Sequence, residues 1–111
     1  MTNRSATSSN IFQAVADPTR RAILGHLKLS DQSAGFLCAQ FAISQPAVSQ
    51  HLRVLLDAGL VSERRDGRRR LYKLEPAPLK EVDDWVKEYE HFWEEKLDAL
   101  GDYLDRKKNK R

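Results

Sequence analysis

The sequence predicts a mainly α-helical chain of about five helices, with one small β-hairpin and a long C-terminal helix. Three observations carry this reading. Apolar residues recur at helical spacing from Phe12 through Leu56. An Asp66-Gly67-Arg68 turn signal stands between two strand-like runs. From Leu79 to about Asp105 the apolar residues gather on one side of a helical wheel. The chain has 111 residues and a formal net charge of +3, with 41% hydrophobic and 32% charged residues. That length fits one domain with a compact core. The longest apolar run is four residues, Phe36 to Ala39, far short of a bilayer span. The opening MTNRSATSSN lacks the apolar stretch of a secretory signal. A soluble, cytoplasmic domain without membrane association is expected. Cys38 is the only cysteine, which excludes an intrachain disulfide and a cysteine-based zinc cluster within one chain.

The elements follow in order. Residues 1–9 are polar and serine-rich and read as a disordered lead-in to a domain over 10–105; 106–111 form a basic tail. Phe12, Val15 and Ala16 recur as on a helix. Asp17-Pro18 marks the next helix start, because Asp caps free N–H groups and Pro suits the first helical position. Ile23, Leu24 and Leu27 give that helix its apolar stripe. Lys28 to Gln32 reads as a loop. Ser33 is a candidate N-cap for a short helix through Phe41, with Phe36, Leu37 and Phe41 facing inward.

Ser44 and Pro46 mark another helix start. Val48, Leu52, Leu55 and Leu56 fall at i, i+4, i+7 and i+8, a single apolar stripe. Pro46, Ser49, Gln50, Arg53 and Asp57 fall on the opposite face, and Gly59 supplies the stop. Runs Val61–Arg65 and Arg69–Leu74 then flank the Asp-Gly turn, a strong hairpin signal. Pro76 and Pro78 punctuate before one continuous helix from about Leu79 to Asp105. Its apolar face holds Val82, Trp85, Val86, Tyr89, Phe92, Trp93, Leu97, Leu100, Tyr103 and Leu104, with only Lys96 intruding. A helix of about 27 residues spans about 40 Å, more than a domain this small needs. A second chain is expected to cover its aromatic face.

Charge is distributed unevenly. Residues 51–75 carry seven Lys/Arg against four Asp/Glu, whereas residues 76–105 carry three against ten. Arg64, Arg65, Arg68, Arg69 and Arg70 lie at the hairpin, beside Gly67. Arginine clusters bind phosphates, and a slim ribbon tip can enter the minor groove. Short helix, tight turn and amphipathic helix with small polar residues outward describe a helix-turn-helix, and the hairpin adds a wing. Ser and Gln hydrogen-bond base edges and let a helix approach the major groove closely. The expected DNA-facing residues are Ser44, Gln45, Pro46, Ala47, Ser49, Gln50 and Arg53 on the recognition helix, and the five arginines with Gly67 on the wing.

DPTRRAIL (Asp17 to Leu24), SQPAVSQHLRVLLDAGLV (Ser44 to Val61) and RRDGRRRLYKL (Arg64 to Leu74) together resemble the ArsR family of bacterial winged-helix repressors, over about residues 11–75. The C-terminal helix resembles that of a small autorepressor-like branch whose members often lack metal sites. The resemblance implies a homodimer joined through its first helix, where Phe12 contributes, and its last helix, on an imperfect palindrome in double-stranded DNA. It matches Gln45, Ser49 and Gln50 to base-reading positions and Arg68 to Arg70 to the wing.

The family's metal chemistry is not expected here. An arsenic-type site needs a Cys-x-Cys pair on the helix before the recognition helix, where Cys38 stands alone. A zinc-type site needs Asp-x-His upstream of a His-x-x-Glu or His-x-x-His. His91 and Glu94 supply the second part, but Pro78 and Lys80 occupy the first. No cofactor and no catalytic constellation is expected, and the residues assign no effector. His51, beside the apolar stripe, is expected to pack or touch phosphate, and Cys38 to pack. An alternative function is a winged-helix module that uses its acidic aromatic helix to bind another protein.

Overall fold

The computed structural model describes residues 10–109. The chain divides into two compact units, with the boundary between Glu81 and Val82. In the first unit, α1 covers residues 10–15, α2 Pro18–Leu29, β1 Gln32–Ser33, α3 Ala34–Phe41, α4 Gln45–Asp57, β2 Val61–Asp66 and β3 Arg69–Leu74. Two further helices follow, α5 (Leu79–Lys87) and α6 (Glu90–Asn109).

Caps written in the sequence set the helix starts. Asp17 Oδ2 accepts the Arg20 backbone N–H at 3.0 Å, Ser33 Oγ that of Phe36 at 3.1 Å, and Ser44 Oγ that of Ala47 at 3.2 Å. Each satisfies a donor the helix cannot pair internally. Helix α4 ends as Gly59 predicts: Gly59 takes φ +77°, its N–H donates to the Leu56 carbonyl, and the Leu60 N–H donates to that of Leu55. These two bonds form a Schellman closure, which requires a left-handed residue. Between α3 and α4 the same conformation falls on Ala42, at φ +52°, where a Cβ is strained. The Cys38 thiol donates to the Ile43 carbonyl at 3.1 Å, so the lone cysteine ties this turn down.

The core of the first unit is built from stripes on four helices and the inner side of the hairpin. Ile11, Ile23, Leu37, Val48, Leu52, Leu55 and Leu60 are its largest fully buried side chains. Each removes enough apolar surface from water to contribute about 1.5–3 kcal/mol. Packing α1 to α4 around these residues leaves one face of α4 outward.

Mainly helical architecture with a wing is what the sequence predicts; several details differ. Among the described residues there are six helices, and the hairpin belongs to a three-stranded antiparallel sheet of order β1-β3-β2. Strand β1 is only two residues long, too short for alternation to reveal, and it forms by pairing with Tyr72 and Leu71 far along the chain. The expected loop from Lys28 is correspondingly shorter. Phe36 is partly exposed and Phe41 half-buried, because a helix of eight residues aims only Leu37 squarely at the core. Their rings meet the edge of His26, at 6.1 and 5.3 Å between centroids.

The expected continuous C-terminal helix is interrupted at Glu88 and Tyr89. There the Glu88 and Tyr89 N–H groups donate to carbonyls three residues back, tightening the turn. Neither proline nor glycine marks the break. Beyond it α6 continues through Asn109, so the first part of the basic tail is helical, and cations there suit the negative end of the helix dipole. The lead-in expected over residues 1–9 lies outside the described residues. No described helix is long and apolar enough to cross a membrane.

Candidate nucleic-acid interface

Burying Val48, Leu52 and Leu55 fixes which side of α4 faces solvent. Gln45, Pro46, Ser49, Gln50 and Arg53 are all exposed, and Ala47 is half-buried. Ser44 is exposed, but its hydroxyl is engaged as the cap of α4. Arg53 makes a loose i,i+4 ion pair with Asp57 at 3.9 Å, worth little in water.

The hairpin closes on two residues, Gly67 and Arg68. Gly67 takes φ +67° and Arg68 stays outside the left-handed region, the II′ pattern in which glycine leads. Register places Asp66 opposite Arg69, Arg65 opposite Arg70, and Glu63 opposite Tyr72. Alternation then divides the arginines. Arg65 and Arg70 share a face with Glu63 and Tyr72, while Arg64 and Arg69 lie on the other. A groove of about 480 Å³ separates that first face from α4, with Pro46, Ser49, Gln50 and Arg53 on one wall and Glu63, Arg70 and Tyr72 on the other. Ser49 and Gln50, two of the three base-reading candidates, and one side of the wing thus border a single concave surface.

Electrostatics separates the five arginines further. Arg64 pairs with Asp31 at 3.2 Å, Arg69 with Asp66 at 3.5 Å, and Arg70 with Glu63 at 3.5 Å. Among the described residues, Arg65 and Arg68 have no acidic partner. Arg65 also stands directly across from Arg70, an arrangement of like charges that destabilises a free hairpin. An anion laid along the wing relieves this repulsion. Asp31 is the site neighbour that the sequence reading missed, because only the tertiary fold brings it to Arg64. Glu63 and Tyr72 lie within the hairpin sequence itself, and their place on the face of Arg65 and Arg70 follows from the strand register.

His51 takes the packed setting, one of the two expected for it, and is half-buried. Its Nδ1 lies 3.3 Å from an Arg20 terminal nitrogen, so it packs against a cation of α2. Arg20 Nε–H donates to the Ala14 carbonyl at 2.8 Å, and its other terminal nitrogen to that of Gln13 at 3.0 Å. Arg21 donates to the Val15 carbonyl at 2.7 Å. These carbonyls end α1, and that of Gln13 also accepts the Ala16 N–H at 3.2 Å.

In the second unit, the expected contact residues form an uncovered apolar face. Trp85, Val86, Tyr89, Phe92, Trp93, Leu97, Leu100 and Leu104 are all exposed, and Val82 is half-buried. Phe12 is half-buried on α1. The break before α6 shapes a groove of about 570 Å³ lined by Trp85, Val86, Tyr89, Phe92, Trp93 and Lys96. His91 pairs with Glu95 at 2.9 Å rather than serving with Glu94. Among the described residues no three His, Cys, Asp or Glu side chains gather as a metal site would require.

Comparison with known proteins agrees with this geometry. Residues 17–63 match the family model described as the bacterial regulatory protein, arsR family. The chain is 40% identical over 78 residues to the transcriptional repressor SdpR of Bacillus subtilis, covering 70% of this chain and 87% of that one. It is 39% identical over 94 residues to an HTH-type transcriptional regulator of Mycobacterium tuberculosis, covering 85% of each. An ArsR-like transcriptional regulator from Rhodococcus sp. RHA1 superposes with a TM-score of 0.68 at 31% identity, over 88% of this chain and 92% of that one.

Proposed function

The chain belongs to the ArsR family of bacterial regulatory proteins, and from that premise we propose that it is a DNA-binding transcriptional repressor acting as a homodimer in the cytoplasm. The observation that carries this reading is the shared concave surface of α4 and the wing. Gln45, Ser49 and Gln50 present uncharged donors and acceptors of the kind that distinguish base pairs in the major groove. Arg65 and Arg68, without acidic partners, take phosphate or the minor groove, where arginine is favoured. Arg64, Arg69 and Arg70 exchange their carboxylates for phosphate on binding.

A second copy covers the apolar face of α5 and α6. Two recognition helices then enter successive major grooves about 34 Å apart, which suits an imperfect palindrome, and occupancy of a promoter excludes polymerase. No metal ligand set enters this mechanism. The test is a gel shift with DNA from upstream of the protein's own gene against random DNA, at physiological salt. Specific DNA is expected to bind at least about 10³-fold more tightly; equal affinity would refute the proposal. Sedimentation separates the alternative of a protein-binding module, since a stable monomer leaves the apolar face for a different partner.

A further inference from the structure

Arg20 joins three helices through one guanidinium. Its own backbone N–H closes the Asp17 cap that begins α2. Its side chain takes two carbonyls at the end of α1, from Gln13 at 3.0 Å and Ala14 at 2.8 Å. Its remaining terminal nitrogen reaches His51 Nδ1 on α4 at 3.3 Å. Arginine only donates, so this contact requires an imidazole whose Nδ1 accepts and whose proton lies on Nε2. Three acceptors in three directions match a planar fork and not the point charge of a lysine.

On α4, His51 is the only polar side chain that is not exposed. Everything else on the inner side of that helix is apolar, and apolar contact is non-directional. It tolerates small rotation or sliding of α4 in a way that a hydrogen bond does not. Elsewhere between α1 and α4 lies an open polar cleft of about 290 Å³, lined by Asn10, Gln13, Arg20, Val54 and Asp57. Arg20 therefore supplies the directional connection between the end of α1 and the recognition helix. His51 directly follows Ser49 and Gln50, so fixing it fixes their orientation.

We infer that Arg20 is a positioning residue for DNA reading. It acts through His51 to set the rotation of α4, and so governs sequence discrimination from outside the DNA-facing surface. This rests on the DNA-binding reading of α4. The test uses the full chain, fluorescence polarisation on operator and random duplexes of equal length, and circular dichroism to confirm folding at the assay temperature. Arg20→Ala and His51→Leu are each expected to lose about ten-fold in operator affinity and less than three-fold on random DNA, roughly one hydrogen bond's worth. The double variant should be no more than two- to three-fold worse than either single. His51→Asn, which keeps an acceptor at the Nδ1 position, should restore discrimination to within about three-fold of the parent, and Arg20→Lys should not.

Additive losses in the double variant would overturn the inference, as would unchanged discrimination in folded single variants. If Arg20→Ala fails to fold, His51→Leu and His51→Asn decide the question, because they leave the α1 carbonyl bonds intact. If the parent protein itself does not discriminate operator from random DNA, the DNA reading fails first and the inference with it.

Discussion

The two units of this chain solve opposite problems with a similar proportion of apolar residues. The first places its large aliphatic side chains inside and turns small polar groups and arginines outward. From Val82 onward no described side chain is buried, and Trp93 and Leu97 remain 60% and 63% exposed. Charge follows the same division: residues 51–75 are basic, and residues 76–105 carry ten acids against three bases. The first unit has a core of its own and an anion-seeking surface. The second has an apolar face that only another surface can complete.

The comparison breaks most visibly where the apolar face is charged. Trp93→Asp places a carboxylate at the centre of the proposed seam, and central aromatic anchors there are worth about 2–4 kcal/mol. The expected outcome is a monomer by sedimentation and operator affinity lower by roughly 30- to 1000-fold. The melting of the first unit should hardly change. Leu55→Ala is the mirror experiment. It should cost about 2–5 kcal/mol in denaturant unfolding by leaving a cavity in the core.

Finer contrasts lie within the interface. Gln50→Ala should cost about 1–3 kcal/mol on operator DNA and little on random DNA. Arg68→Ala should weaken both and lower the salt slope by about one unit, as expected for a lost phosphate contact. Ala42→Gly should raise stability by about 1 kcal/mol by relieving the left-handed turn before α4. The smallest effect is at Asp17. The Arg20 backbone N–H holds its carboxyl below the ordinary value of 3.8. A lowered folded-state value means stability that is present above about pH 4 and lost as pH falls below it. Asp17→Ala should therefore melt earlier than the parent at neutral pH, with the gap narrowing in acid.

What was legible in the sequence was local. Asp17, Ser33 and Ser44 announce their helices because a cap acts on residues three positions away. Gly59 and Gly67 announce their turns because positive φ is costly for other residues. The candidate DNA face follows from the period of α4 and the Asp-Gly turn. What escaped was non-local. Strand β1 exists only through its pairing with β3, and the Arg64–Asp31 and Arg20–His51 contacts join residues more than thirty positions apart. The interruption at Glu88–Tyr89 escaped for a different reason, since neither residue is a helix breaker. Aromatic contacts from Trp85 to Tyr89 and from Tyr89 to Phe92, at 5.6 and 6.4 Å, accompany it.

A methylation-protection footprint tests both units at once, because it reports major-groove contacts at guanine N7 base by base. On operator DNA the parent protein should protect two symmetric clusters on one face of the duplex, one helical turn or a whole multiple apart. The Trp93→Asp variant should lose both clusters at the same concentration. A single protected cluster, or protection of both that survives Trp93→Asp, would contradict the pairing of a DNA-reading unit with a self-associating one.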